Sequence, residues 1–312
     1  MRVLRDTYGF SPACFSEHDQ VGSEAVVLMM EVNSWITGRR GVSLPFTDEC
    51  APLSPDPASF SRLLNVVSNH AVSRRWRYCE FRGGRSLLPA APASISFWGH
   101  TLQLEPNSPA RFSRVGASTR RAIRKAEHSN LVVDVSTKAQ AVQTFHGLLC
   151  KTRRRHGLPP QPRRFFDNIH RHIVSKGKGV VVLAHCNDVP VAGALFLHFG
   201  RHAIYKFGAS DESFQQLRGN NLVMWRAIEW HAERGYTSLD FGRTARNNDG
   251  LRRFKLSWGT TERAIEYFRL DQRSSRFVSS RDATRGWYNR MFRIMPETLS
   301  RFFGAVAYKH MA

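Results

Sequence analysis

An α+β fold, with mixed and mainly antiparallel sheets flanked by helices, follows from three features of the chain. Gly179-His185, Val189-Phe199 and His202-Gly208 are apolar runs joined by the tight polar turns Asn187-Asp188 and Gly200-Arg201, the pattern of an antiparallel meander. Two helical segments precede this meander, and helix, strand, helix, strand follow it, so strands and helices do not alternate as in a doubly wound parallel sheet. Hydrophobic residues make up 42% of the 312, with 21 Phe and seven Trp, which is enough for packed cores and excludes global disorder.

The elements follow in chain order. Ala25-Val32 and Gly41-Phe46 read as strands joined by a turn around Gly38, while the chain before them looks irregular. Pro57-His70 carries Phe60, Leu63, Leu64 and Val67 at a helical period that continues to Ala71. Trp76-Phe81 and Thr101-Leu104 are further strands. Pro106-Gly116 is rich in Pro, Ser and Gly and marks a domain boundary.

A helix opens at Ser118-Thr119, with Ala122, Ile123 and Ala126 inward and Arg120, Arg121, Arg124 and Lys125 outward. Leu131-Val135 is a strand, and Ala139-Arg154 and Phe165-Val174 are helices separated by the proline-rich turn Leu158-Pro162. After the meander come an amphipathic helix over Asn221-Arg234, a strand ending at Phe241 and a last strand over Thr261-Leu270. Three regions are expected: residues 1–110, 111–272 and a basic amphipathic tail, 273–312, which Pro296 splits into two short helices.

Charge narrows the function. The formal net charge is +21, and Arg111 to Lys178 holds 16 Lys/Arg against three acids. Such a balance implies an anionic partner: RNA, an acidic glycopolymer, a phosphorylated donor or a membrane surface. Arg120, Arg121, Arg124 and Lys125 are the candidate polyanion-binding residues. The five cysteines are scattered, odd in number and without CxxC spacing, which fits a reducing cytoplasm and argues against zinc or a disulfide framework. His170 and His172 are two apart on a helix and point to different faces, so no metal site is expected. No signal peptide is visible and no apolar run approaches the ~20 residues that span a bilayer. The chain is expected in the cytoplasm, soluble or peripheral at the inner face of the membrane, with the tail as one means of attachment.

Chemistry concentrates late in the chain. Leu239-Asp240-Phe241-Gly242-Arg243 is a strand ending in a polar, glycine-relieved tip, and Phe254-Lys255 with Trp258-Gly259 follow closely. Acyl transfer needs a deprotonated nucleophile and charge stabilisation at the attacked carbonyl. Lys255 is the candidate oxyanion stabiliser. Asp240 is a candidate base, an anchor for Arg243, or a strand-end carboxylate paired with a neighbouring arginine. Arg243 could hold a donor phosphate. Gln216-Leu217-Arg218-Gly219-Asn220-Asn221 precedes a helix, where backbone N–H groups kept accessible by glycine bind phosphate oxygens. Arg218 would add a charge-assisted contact, and Asn220 alternatively caps the helix. Tyr205 and Tyr267 are candidate acids toward a leaving group, although both lie on strands where packing is the commoner role.

These motifs together resemble the FemAB-like branch of the GNAT acyltransferase superfamily, of the type associated with exopolysaccharide and exosortase systems. The Gln216 to Asn221 loop is similar to the GNAT donor loop, with Asn221 in place of its last small residue. The resemblance covers roughly residues 25–270 and implies tandem GNAT-like lobes, the first incomplete at its N-terminus. It also implies a donor lying where the central strand splays from its neighbour. Phe254-Lys255 match the Phe-Lys pair at the transfer site of Fem ligases, which implies stacking by Phe254. No permanent cofactor is implied. The expected co-substrate is acyl-CoA, with aminoacyl-tRNA as the alternative, and the expected acceptor is an envelope glycan or lipid-linked precursor. A noncatalytic RNA-binding protein on the same fold is the reading from a different class.

Overall fold

The computed structural model describes residues 1–18, 24–106, 108–279, 303–304 and 307–310. The described chain forms two compact units: Met1–Phe97 with residues 264–279 and 307–310, and Trp98–Arg263 with residues 303–304.

The first unit opens with helix α1 (Arg2–Tyr8) and strands β1 (Ser11–His18), β2 (Glu24–Ser34) and β3 (Gly38–Val42), followed by helix α2 (Pro57–Ser73) and strand β4 (Tyr78–Arg82). Residues 2–18, which look irregular in the sequence, thus form a helix and a strand. Val3, Leu4 and Tyr8 anchor α1, and β1 pairs with β2 from Ser11↔Glu31 to His18↔Glu24. Asp56 caps α2 by accepting from the Ser59 N–H at 2.8 Å, with Pro57 in its first turn. Phe60, Leu63, Val67 and Ala71 bury the expected face of α2 against Val27, Met29, Phe81 and Phe268. Burying one such side chain contributes about 1.5–3 kcal/mol. Tyr267, weighed as an acid, belongs to this unit, where its hydroxyl donates to the Asp48 carbonyl at 2.7 Å.

Strand β5 (Ile95–Gln103) carries the chain into the second unit, so the boundary falls at Phe97 rather than within Pro106 to Gly116. The proline-containing stretch is a helix start rather than a linker: α3 spans Ser108–Arg114 with Pro109 in its first turn. Then come α4 (Ala117–Glu127), β6 (Val132–Ser136), α5 (Ala139–Arg155), α6 (Arg163–His172), β7 (Gly179–Cys186), β8 (Val189–Phe199), β9 (His202–Ser210), α7 (Gly219–Glu233), β10 (Ser238–Ala245) and α8 (Asp249–Leu256). The meander is as expected, its turns set by Asn187, Asp188 and Gly200 at positive φ. Within this unit the strand order is β5-β10-β9-β8-β7-β6. Ile123, Val223, Met224 and Ile228 of α4 and α7 pack with Val182, Phe196 and Leu239, and Trp258 is fully buried in the same core.

Strands β11 (Thr261–Asp271) and β12 (Arg276–Val278) close the described fold. Expected to complete the second region, β11 instead pairs with β4 of the first unit, from Tyr267↔Arg82 to Asp271↔Tyr78. The two tail helices split at Pro296 fall almost wholly outside the described residues.

Candidate active site

In the second unit β9 and β10 pair in parallel, and the pair comes apart early. Ser238–Asp240 of β10 pair with His202–Ile204 of β9, and the register goes no further. On its other edge β9 carries a bulge: Phe196 faces Tyr205 and Leu195 faces Phe207, leaving Lys206 extra. A bulge bends its strand and re-aims the side chains beside it. Here the Tyr205 hydroxyl occupies the space that a Cβ at Gly208 would need, so glycine at 208 is a steric requirement.

Beyond the parting lies a cleft of about 270 Å³. Its lining includes Tyr205, Gly208 and Ser210 of β9, Gly193 and Ala194 of β8, Asn220 and Met224 of α7, and Leu251 and Phe254 of α8. The end of α5 closes it with Thr152 and Arg155, followed by His156. Thr152 is locked to β9: its hydroxyl donates to the Ser210 carbonyl at 3.0 Å and accepts from the Ser210 N–H at 2.8 Å. Arg155 and His156 share a contact of 3.5 Å. Burial pushes the Tyr205 hydroxyl up to about 12, so it stays protonated at neutral pH.

The loop singled out in the sequence leads into this cleft. Gln216 is exposed on a short 3₁₀ turn, and Arg218, also exposed, takes φ 58° to start α7 at Gly219, two residues earlier than expected. Gly219 is buried against β8, where a Cβ would come within 3.1 Å of Ala192. The first N–H groups of a helix have no intrahelical acceptor and sit at its positive end, which suits an anion. Asn220 forms part of the cleft wall and Asn221 is half-buried. Arg218 holds the N-cap position without a side-chain cap bond, so the capping role considered for Asn220 is not observed.

Helix α8 is capped by Asn248, which accepts from the Leu251 N–H at 3.1 Å. Phe254 faces the cleft, while its neighbour Lys255, about 100° further round the helix, is 3% exposed and does not line it. The Lys255 ammonium donates to the carbonyls of Gly242 at 2.8 Å and Arg243 at 3.0 Å. The expected adjacent pair is thus divided between two faces, one toward the cleft and one clamping β10. Asp240 accepts from the Gly242 N–H at 2.6 Å, and Arg263 lies 3.9 Å away, the strand-end pairing with a neighbouring arginine. Arg243 is half-buried.

A cluster of charges on and beside α8 belongs to the same unit. Arg252 donates to both Glu262 oxygens at 2.7 and 2.9 Å, and this bond holds the Glu262 carboxyl below its usual range. Arg252 and Arg246 both lie over Trp98, 4.7 and 3.5 Å from the ring centre. His100 is fully buried, and desolvation, reinforced by Lys255 and Arg252, lowers its pKa and keeps it neutral. Nothing in the sequence had marked His100 or Trp98.

On α4, Arg121, Arg124 and Lys125 are exposed as expected, with Arg124 over the Phe112 ring. Arg120 departs from the set. Its guanidinium turns back to the carbonyls of Ser113 at 2.7 Å and Val115 at 2.9 Å, joining α4 to the preceding turn.

A parallel pair that opens into a cleft beside a glycine-led helix start defines a GNAT-type domain, and residues 113–262 match the Acetyltransferase (GNAT) domain family. The Lipid II:glycine glycyltransferase of Staphylococcus saprophyticus is 33% identical over 82 residues, which are 24% of this chain and 20% of that protein. Its Staphylococcus aureus counterpart is 32% identical over a stretch of the same length. The match spans about a fifth of these curated relatives. Among solved structures, FemX superposes with a TM-score of 0.67 at 14% identity, covering 85% of this chain and 90% of FemX. L-PGS from Bacillus licheniformis gives 0.54 at 13%, over 94% and 90% of the two chains. A tandem GNAT protein from the clavulanic acid pathway gives 0.51 at 9%, over 80% and 83%. At such identities the structural likeness is one of fold. Residues 113–262 are therefore similar to GNAT acyltransferase domains, and the chain shares its fold with FemX.

Proposed function

We propose that this chain is an acyltransferase that takes an acyl group from an anionic donor, acyl-CoA foremost, and passes it to an amine or hydroxyl of an envelope or exopolysaccharide precursor. The observation that carries this reading is the cleft beyond the β9/β10 parting, which has the N-terminus of α7 at its wall. Donor phosphates would lie on the first N–H groups of α7, with Arg218 and Gln216 outside and Asn220 and Asn221 alongside. The acyl arm would run between Phe254 and the small residues of β8 and β9.

The nucleophile attacks the donor carbonyl, an oxyanion forms, and the intermediate collapses by expelling a thiolate, while the proton that the amine or hydroxyl loses returns through water to Tyr205 once it has protonated the thiolate. Tyr205, protonated at neutral pH and facing the cleft, supplies the proton that the thiolate takes up. Lys255 contributes a fixed positive charge from behind β10, while its two carbonyl bonds hold the Gly242–Arg243 backbone in place. Asp240 keeps that turn in register, and Arg243 orients the donor or the acceptor.

A second reading, aminoacyl transfer from charged tRNA to a lipid-linked peptidoglycan precursor, is favoured by one observation: the curated relatives are Lipid II:glycine glycyltransferases. The exposed cations Arg121, Arg124 and Lys125 would then meet the RNA backbone. Either reading puts the work at the cytoplasmic face of the membrane. Transfer of radiolabel from acetyl-CoA and from glycyl-tRNA to lipid-linked precursors tests both. Label from acetyl-CoA, lowered about 10²–10⁴-fold by Tyr205→Phe, supports the first. Label from glycyl-tRNA alone supports the second. RNA binding without any turnover would overturn both in favour of a noncatalytic RNA-binding protein.

A further inference from the structure

Two large apolar side chains stand side by side in water at the tip of the β2–β3 hairpin: Trp35 is 86% exposed and Ile36 58%. The tip is pre-ordered. Ser34 Oγ accepts from the N–H groups of Ile36 at 3.2 Å and Thr37 at 2.9 Å and shares a hydrogen bond of 2.9 Å with His310 Nδ1. Gly38 closes the turn at φ 82°, and the Arg77 stem lies where its Cβ would be.

The pairing of the first unit brings cations to this same end. β3 runs parallel to β4, so the start of β4 and the end of α2 lie beside the hairpin tip. Arg39 donates to the Arg74 carbonyl at 3.2 Å and Arg77 to the Thr37 carbonyl at 3.3 Å. Arg75 and Lys309 are exposed, and Lys309 adjoins His310, whose ring meets Trp35 edge-on at 5.7 Å. The buried carboxylate here, Glu31, is held by Arg74 and by the Trp76 ring N–H. Val72, 64% exposed on the last turn of α2, adds a third apolar side chain at this end.

We propose that the Trp35-Ile36 tip is a membrane-docking element that enters the headgroup region of an anionic bilayer while the surrounding cations meet its phosphates. Tryptophan suits that interface because its ring is apolar and its N–H is polar. Cations near an anionic leaflet each add to the attraction, in a way that salt screens. An Arg-Trp patch also suits RNA, but exposed Ile36 and Val72 offer no face for stacking on bases. Docking at this tip does not depend on the acyl-transfer reading. Among the described residues no helix is long and apolar enough to cross a membrane.

The test is flotation of the full-length chain with vesicles of phosphatidylcholine alone or mixed with phosphatidylglycerol, alongside a single-stranded RNA binding assay. The chain should float with the phosphatidylglycerol vesicles at low salt and be released as salt rises. Trp35→Ser combined with Ile36→Ser should weaken this by at least about tenfold, given what burying two such side chains contributes, and leave RNA binding unchanged. Brominated lipid should quench wild-type tryptophan emission more than that of Trp35→Ser. Ile36→Ser alone, which touches no other ring, should give a smaller loss in the same direction and guards against misfolding of the double variant. Equal flotation of wild type and double variant would overturn the proposal, as would a loss confined to RNA.

Discussion

Lys255 illustrates how one side chain can be placed by sequence and still need the structure to give it a task. Its neighbour Phe254 faces the cleft, whereas the Lys255 ammonium is buried on the carbonyls of Gly242 and Arg243. Lys255→Met strands two buried acceptors, which should cost about 1–3 kcal/mol. Thermal melting should show that loss, and the carbonyl clamp should be partly restored by Lys255→Arg. If the charge also acts on the oxyanion, turnover of Lys255→Met falls by about 10²–10³, well beyond what partial unfolding at assay temperature explains. Asp240 was legible only as a set of alternatives, because a strand-end carboxylate has the same sequence signature whether it is a base or an ion-pair partner. Its neighbour Arg263 in space lies 23 positions away in sequence.

At the scale of the element, α7 joins the cleft to the core. Its first turn presents Asn220 to the cleft, and its last turn buries His231 completely, with Nδ1–H donating to the Ala227 carbonyl at 2.7 Å. Burial lowers the His231 pKa to about 4 from 6.5. The unfolded chain therefore binds that proton more readily than the folded one. The stability tied to the neutral ring is complete above the unfolded pKa and is lost as pH falls through 6.5 toward 4. The loss should reach about 3 kcal/mol by pH 4, and His231→Phe should flatten that part of a stability-against-pH curve measured by urea denaturation. The loop before α7 and α7 itself were legible because glycine and paired asparagines after a strand mark a helix start. Thr152, Arg155 and His156 were not, since only the docking of α5 on β9 through Ser210 brings them to the cleft.

For the whole molecule, local signals were read well and long-range pairing was not. The meander announced itself through turns at Asn187, Asp188 and Gly200. Edge strand β1 did not, because only Ala13, Phe15 and Glu17 turn partly inward and a proline sits at its start. Nothing local in β11 tells that its partner is β4, nearly two hundred residues earlier. That pairing matters for stability. Ending the chain at Arg263 removes Phe268 and Leu270 from the first core along with the β11 partners of β4, which keeps only its β3 edge, so hydrogen exchange at Tyr78–Arg82 should lose much of its protection. The second unit, whose described core draws on none of those residues, should keep the protection of β7 and β8.

The most direct measurement for the proposed donor cleft is the thermal shift caused by acetyl-CoA, coenzyme A and charged tRNA in wild type and in Asn220→Glu. A carboxylate in the first turn of α7 favours the helix, so the free variant should melt no lower than wild type. It would, however, set a negative charge where donor phosphates bind. Wild type should rise saturably with its donor, and Asn220→Glu should lose the shift. No shift in wild type with any donor, or an undiminished shift in the variant, would contradict donor binding at this cleft.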